Sequence, residues 1–230
     1  MKILGLIPAR GGSKGVPHKN IIDINGKPLI VYTIETALRA KEKGLLEDVV
    51  VSTDDETIMR ISMNAGASVP FIRPDYLSDD KAKSVDAIIH AIEFFKRQNK
   101  EYDAVMLLQP TTPLRNVEDI CDAIEIFEKE KCDSLISCYK EEHIRDTVSY
   151  HKKGNISIPL SPYHNKGKRR QEEDDVYVRN GAIYLSKTNY ILLNHLVFCD
   201  EPAIYVMPKN RSVNIDCMDD VEMLRWQLSK

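Results

Sequence analysis

Ile3-Leu4-Gly5-Leu6-Ile7-Pro8-Ala9-Arg10-Gly11-Gly12-Ser13-Lys14-Gly15-Val16-Pro17-His18-Lys19-Asn20 sets an apolar run directly against a loop rich in glycine and cations. The run has the length of a buried strand, and a strand that ends in such a loop is suited to holding a polyanion. Glycine admits positive φ and close backbone approach, so Gly11, Gly12 and Gly15 are expected to turn successive N–H groups inward as an anion-binding nest. Arg10 offers a two-pronged donor for phosphate oxygens, and Lys14 and Lys19 act as point charges. The spacing matches neither a Walker loop nor G-x-G-x-x-G. A solvated turn is the competing reading of the loop taken alone.

Outward from this loop, short β-rich apolar runs alternate with longer helical patterns, the signature of parallel strands joined by crossover helices. The expected strands are residues 2–7, 48–52, 68–72, 104–108 and 134–137. Over 28–41, Leu29, Tyr32, Thr33, Thr36 and Ala37 recur at the spacing of a buried helical face, with Pro28 suited to the first turn and Gly44 near the stop. Further helices are expected over 55–65, 84–98 and 117–131, the last opened by Asn116 as N-cap with Asp119 three residues on. Each helix follows a strand, so residues 1–138 read as an α/β fold, an open three-layer αβα sandwich on a mostly parallel sheet. Ligands of such a sheet sit at the carboxyl ends of its strands. The pattern breaks over 139–179, where Gly154-Asn155, Pro159, Ser161-Pro162 and the charged run 165–175 read as an inserted segment of hairpins and loops. Order returns at Gly181-Ala182-Ile183-Tyr184-Leu185 and Ala203-Ile204-Tyr205-Val206-Met207, and a helix over 219–228 closes the pattern. The α/β domain is therefore expected to comprise 1–138 and 180–230.

The chain has 230 residues, 43% of them hydrophobic and 29% charged, the make-up of a soluble globular domain large enough to carry an insertion. A net charge of −3 argues against nucleic acid as a partner held by bulk positive charge. The apolar run before Pro8 is too short for a signal peptide or a membrane span, so a cytoplasmic location without a membrane partner is expected. Five cysteines without C-x-x-C spacing suggest neither a disulfide framework nor a zinc site, and the histidines show no metal-ligand spacing. No serine or cysteine sits in a nucleophile elbow, so direct displacement without a covalent enzyme intermediate is expected.

Several short motifs follow one another in order. Ile7-Pro8-Ala9-Arg10 with Ser13-Lys14 and Lys19-Asn20 comes first, then Ser52-Thr53-Asp54, Arg73-Pro74 and Leu77-Ser78-Asp79. Gln109-Pro110-Thr111-Thr112-Pro113-Leu114-Arg115, Asn180-Gly181-Ala182-Ile183-Tyr184 and Ile215-Asp216 complete the series. Together they resemble the acylneuraminate cytidylyltransferases over essentially the whole chain, and the first motif and the Gln109 to Arg115 motif are specific as a pair. The resemblance implies a Rossmann-like nucleotidyltransferase sandwich that transfers CMP from CTP to the anomeric hydroxyl of a nine-carbon 2-keto sugar acid. N-acetylneuraminate, legionaminate and pseudaminate are acids of this kind. It also implies pyrophosphate release, Mg²⁺ as cofactor, and a homodimer formed through 139–179.

Carried over residue by residue, the resemblance assigns Arg10, Ser13, Lys14, Lys19 and Asn20 to the triphosphate, and Arg73 and Ser84 to the cytosine. Gln109, Thr111, Thr112 and Arg115 leave the end of a strand, where two prolines fix φ and neutral donors and acceptors suit a polyhydroxylated sugar. Without the other motifs, this segment also fits a proline-stiffened helix entry with Arg115 pairing locally. Arg170 and Gln171 resemble a sugar-contacting pair, and an arginine fork matches a carboxylate; a solvated zwitterionic loop is the alternative. Asp216 is the metal candidate, with Asn214 standing where the family pattern carries a second aspartate. Arg10, Lys19 and Asp216 are the expected catalytic residues. Two departures from the pattern accompany this one, Ile144 and Asp174 each replacing a proline. The rival readings are a 3-deoxy-octulosonate cytidylyltransferase and a catalytically silent nucleotide-binding domain.

Overall fold

The computed structural model describes residues 1–12, 15–79, 81–166 and 174–230. In chain order its first half comprises β1 (Ile3–Pro8), β2 (Asp23–Ile24), β3 (Lys27–Pro28), α1 (Leu29–Glu42), β4 (Asp48–Ser52), α2 (Glu56–Asn64), α3 (Ser84–Lys96) and β5 (Ala104–Leu107). The second half comprises α4 (Val117–Glu130), β6 (Ser134–Glu141), β7 (Tyr150–Lys153), β8 (Ile156–Pro159), β9 (Val176–Lys187), α5 (Thr188–Asn194), β10 (Ala203–Val206) and α6 (Met218–Leu228).

Alternation within β1 decides the layering. Ile3 and Ile7 face one side and Leu4 and Leu6 the other, and all four are buried, so the sheet is covered on both faces. Ile30 and Ile34 of α1, Ile58 of α2 and Ile120 and Phe127 of α4 cover the first face. Val85, Ile88, Ile92 and Phe95 of α3, with Ile191 of α5, cover the second. Each such side chain contributes about 1.5–3 kcal/mol by leaving water.

The sheet runs β10-β6-β9-β5-β1-β4. β1 is parallel to β4 and β5, and β6 is parallel to β10, while β9 enters antiparallel between β5 and β6. The mostly parallel three-layer sandwich is thus as expected. The strand expected over 68–72 is not formed: Val50 bridges Ser68 and Thr53 bridges Ile72, with no continuous ladder between them. Pro70 sits between the two bridges and has no N–H to donate.

Caps follow local chemistry. Asn116 Oδ1 accepts from Asp119 N at 2.9 Å and Asn116 N donates to Asp119 Oδ2 at 2.8 Å, the reciprocal cap expected for α4. Asp55 Oδ1 accepts from Thr57 N and Ile58 N, both at 2.8 Å, and opens α2. Pro28 lies just outside α1 with ψ 137°, not in its first turn, because it closes the β2–β3 hairpin. That hairpin turns on Asn25-Gly26, both at positive φ.

Within 139–179, β6 and β9 go on pairing from Cys138↔Arg179 to Glu141↔Val176, and β7 and β8 form a separate two-stranded hairpin. A third apolar cluster joins Val16, Ile24 and Leu29 to Ile215, Val221 and Leu224, fixing the back of the glycine loop against α6 and the segment before it.

Candidate active site

The carboxyl ends of β1, β4 and β5 meet where the chain order reverses across β1, and a cleft of about 320 Å³ opens there. Arg10, Gly12, Lys19 and Asn20 line one side of it, Leu77, Asp79, Lys83 and Ser84 another, and Arg73 with Gln109, Pro110 and Thr111 complete it.

The loop backbone is held from two directions. Asn20 Nδ2 donates to Arg10 O at 2.9 Å, and Gly11 N donates to Asp54 Oδ1 at 3.0 Å. Gly11 and Gly12 do not take the left-handed backbone, so positive φ is not the reason for these two glycines. Close approach is what Gly15 provides: a Cβ there would collide with the carbonyl oxygen of Asp216, a backbone atom that cannot swing aside.

Lys19 crosses to the same segment. Its Nζ donates to Ile215 O at 2.8 Å and to Asp216 Oδ1 at 3.1 Å, so residues 197 positions apart share one ion pair. The Asp216 carboxylate is 70% exposed and also accepts from Asn214 Nδ2 at 2.6 Å. Burial pushes the neighbouring Asp220 carboxyl up, but N–H donors from Asp216 and Cys217 outweigh this and hold it below the usual carboxylate range.

Arg10 spans the cleft, Nη1 donating to Asp79 O at 2.9 Å and Ser78 O at 3.4 Å. Arg73 is only 4% exposed. Its Nε donates to Ser52 Oγ at 3.0 Å and its Nη2 to Ser52 O. Burial lowers its pKa to about 10, so it remains charged at neutral pH.

Gln109 and Thr111 reach the cleft and Thr111 O accepts from Ile215 N at 2.9 Å, joining this loop to the Asp216 segment. Thr112 and Arg115, expected on the sugar side, lie behind the loop instead. Thr112 is fully buried in a turn onto Gln109 O, and Arg115 is 2% exposed with Nη1 donating to Ala182 O at 2.7 Å. Burial lowers the Arg115 pKa to about 10. Pairing within the loop accounts for only part of this, a 3.4 Å contact of Nη1 with Thr112 O; the shorter bond reaches β9, so the guanidinium buttresses that strand from beneath the loop.

Ser13, Lys14, Arg170 and Gln171 lie outside the described residues. The remaining expected residues, Arg10, Lys19, Asn20, Arg73, Ser84, Gln109 and Thr111, line the one cleft, and Asp216 with Asn214 joins it through Lys19. Sequence reasoning quoted Asp54 within a motif without giving it a role, and passed over Lys83. Asp54 lies two residues beyond the end of β4, the strand next to β1, and that adjacency was the available signal.

Among the described residues no group of three or more His, Cys, Asp or Glu could hold a metal ion. The exposed carboxylate of Asp216 is a donor of the kind Mg²⁺ takes, since that ion commonly binds one or two protein carboxylates and completes its octahedron with phosphate oxygens and water, and Asn214 lies beside it with its amide nitrogen on the carboxylate.

The family model described as cytidylyltransferase matches residues 4–223. A pseudaminic acid cytidylyltransferase of Campylobacter jejuni is 37% identical over 225 residues, covering 98% of this chain and 95% of that protein. A CMP-N,N'-diacetyllegionaminic acid synthase of Legionella pneumophila is 34% identical, covering 100% of this chain and 95% of that one. An N-acylneuraminate cytidylyltransferase of Streptococcus agalactiae is 34% identical and covers 96% of this chain but 52% of its own length. Among solved structures, CMP:2-keto-3-deoxy-manno-octonic acid synthetase complexed with CTP superposes with a TM-score of 0.71 at 18% identity, over 100% of this chain and 99% of that one, a likeness of fold.

Proposed function

Because the chain belongs to the cytidylyltransferase family, we propose that it transfers CMP from CTP to the anomeric hydroxyl of a nine-carbon 2-keto sugar acid. The observation that carries this reading is the convergence of Arg10, Lys19, Arg73, Gln109 and Thr111 on one cleft at the carboxyl ends of the strands, with Asp216 tied to Lys19. The hydroxyl oxygen forms a bond to the α-phosphorus, the α–β phosphoanhydride bond breaks, and pyrophosphate leaves. Negative charge grows on the equatorial and leaving oxygens, so the protein contributes cations and alignment more than covalent chemistry.

Arg10 and Lys19 supply that charge, and Arg73 and Ser84 face the nucleoside end. Gln109 and Thr111 offer hydrogen bonds to the sugar, and Arg170 and Gln171 join them by resemblance. Asp216 with Asn214 would hold Mg²⁺, which when bound neutralises phosphate charge and orients the leaving group.

The same proposal includes a homodimer and a cytoplasmic location. Ile156 and Ile158 share one face of the β7–β8 hairpin, and with Ile144, Val148 and Leu160 they are exposed apolar residues within 139–179 that a second copy would cover. Among the described residues no helix is long and apolar enough to cross a membrane. The test is product identity. With CTP, Mg²⁺ and a nine-carbon acid, a single CMP-sugar phosphodiester is expected by phosphorus NMR. CTP binding without product from any 2-keto acid would instead indicate a silent nucleotide-binding domain.

A further inference from the structure

Ser137 is fully buried in β6, at the point where β6 and β9 lose register. Ile136 pairs with Tyr184 but Cys138 pairs with Arg179, so the four residues 180–183 of β9 stand opposite Ser137 alone. A bulge of this size strips backbone groups of their ladder partners. The Ser137 hydroxyl replaces one partner directly and anchors a second group: Oγ accepts from Ile183 N at 2.7 Å and donates to Asn180 Oδ1 at 2.6 Å.

Asn180, itself 4% exposed, extends the chain of bonds. Its Oδ1 also accepts from Ala182 N at 3.1 Å, and its Nδ2 donates to Ser212 Oγ at 2.9 Å. Ser212 Oγ in turn donates to Pro208 O at 3.0 Å. Each donor has a defined acceptor, so the Asn180 amide cannot be turned end for end without losing bonds at both ends.

Gly181 stands on the bulge with φ +77°, and a Cβ there would lie 2.5 Å from Gln109 Oε1. The Gln109 amide therefore rests directly on Gly181, and the bulge is the surface on which that cleft residue is seated. Ser137 does not line the cleft. We propose that Ser137 is a positioning residue for the sugar side of the site: it holds the 180–183 bulge in shape and so places Gln109. This rests on the function proposed above.

Steady-state kinetics on the full-length protein test it. Ser137→Ala removes the hydroxyl without adding volume, and the expected result is about a tenfold rise in KM for the accepted sugar acid, with KM for CTP within about twofold of wild type. Combining Ser137→Ala with Gln109→Ala should be no more than about twofold worse than Gln109→Ala alone, because the first substitution acts through the second side chain. Should Ser137→Ala not fold, Ser137→Cys keeps a similar shape with only a weak donor and should show the same sugar-selective rise. Wild-type sugar KM in a folded variant, an equal rise for CTP, or additive losses in the double variant would each overturn the proposal. A wild-type protein that makes no CMP-sugar from any nine-carbon acid would instead remove the functional reading.

Discussion

Lys19 and Asp216 show how much can rest on one contact between distant residues. Lys19 reaches Asp216 Oδ1 at 3.1 Å and Ile215 O at 2.8 Å while lining the cleft, so it helps to place the carboxylate and, in the proposed function, also meets the phosphates. Lys19→Ala and Asp216→Ala are each expected to lower kcat about a hundredfold at saturating Mg²⁺, the scale of losing one preorganised charge; near-normal turnover would remove that residue from the site. Gly15→Ala is expected to destabilise the fold by about 1–3 kcal/mol in denaturant unfolding, because its Cβ must displace the Asp216 backbone. His90 gives a pH dependence. Burial, then the positive charges of Arg97 and Arg73, hold its pKa below the ordinary histidine value, and its Nδ1 is buried without a partner among the described residues. In the unfolded chain His90 takes up a proton below about pH 6.5 and in the folded one it resists, so stability falls as pH drops through that value and is restored above it. His90→Phe should flatten that slope in thermal melts at pH 5 to 7; an unchanged slope would assign it to other groups. At this scale the sequence was only partly legible. The cations of the glycine loop marked Arg10 and Lys19, which do line one cleft, whereas the burial of Arg115 was hidden, because a lone arginine in a loop carries no local mark of the carbonyl it will meet 67 residues away.

Helix α4 follows the Gln109 loop directly, and its start is legible because Asn116 and Asp119 cap each other within one turn. Asn116→Ala should lower stability by about 1 kcal/mol. For a chain of this size that is a fall in Tm of about 2–4 °C, with sugar and CTP constants unchanged because neither atom lines the cleft. Altered kinetics at unchanged Tm would show that the cap also sets the loop. The helical periods from Leu29, Val85 and Val117 onward were likewise readable, since each face buries a regular set of apolar residues. The missing strand over 68–72 and the antiparallel entry of β9 were not. Pro70 interrupts a ladder that the surrounding apolar residues suggest, and strand direction depends on where the chain returns, which Gly181 to Leu185 do not encode locally.

Across the whole molecule, the segment between β6 and β9 carries the β7–β8 hairpin out from the sheet. Ile156 is 72% exposed and Ile158 44%, on a hairpin too small to bury them itself. Light scattering should report a dimer for the unaltered protein and a monomer for Ile156→Asp with an unchanged circular dichroism spectrum. A fully active monomer of the unaltered chain would contradict the proposed assembly. The layered sheet and the position of its cleft were legible from the alternation of strands and helices, because both follow from burying two faces of one sheet. The choice of sugar was not, since the acids differ in stereochemistry and acyl groups that no single motif records. The most direct test is therefore pyrophosphate release with CTP and Mg²⁺ saturating, across pseudaminate, legionaminate, N-acetylneuraminate and 3-deoxy-octulosonate. Turnover with a nine-carbon acid well above that with the eight-carbon acid is the predicted result, and preference for the eight-carbon acid would contradict it.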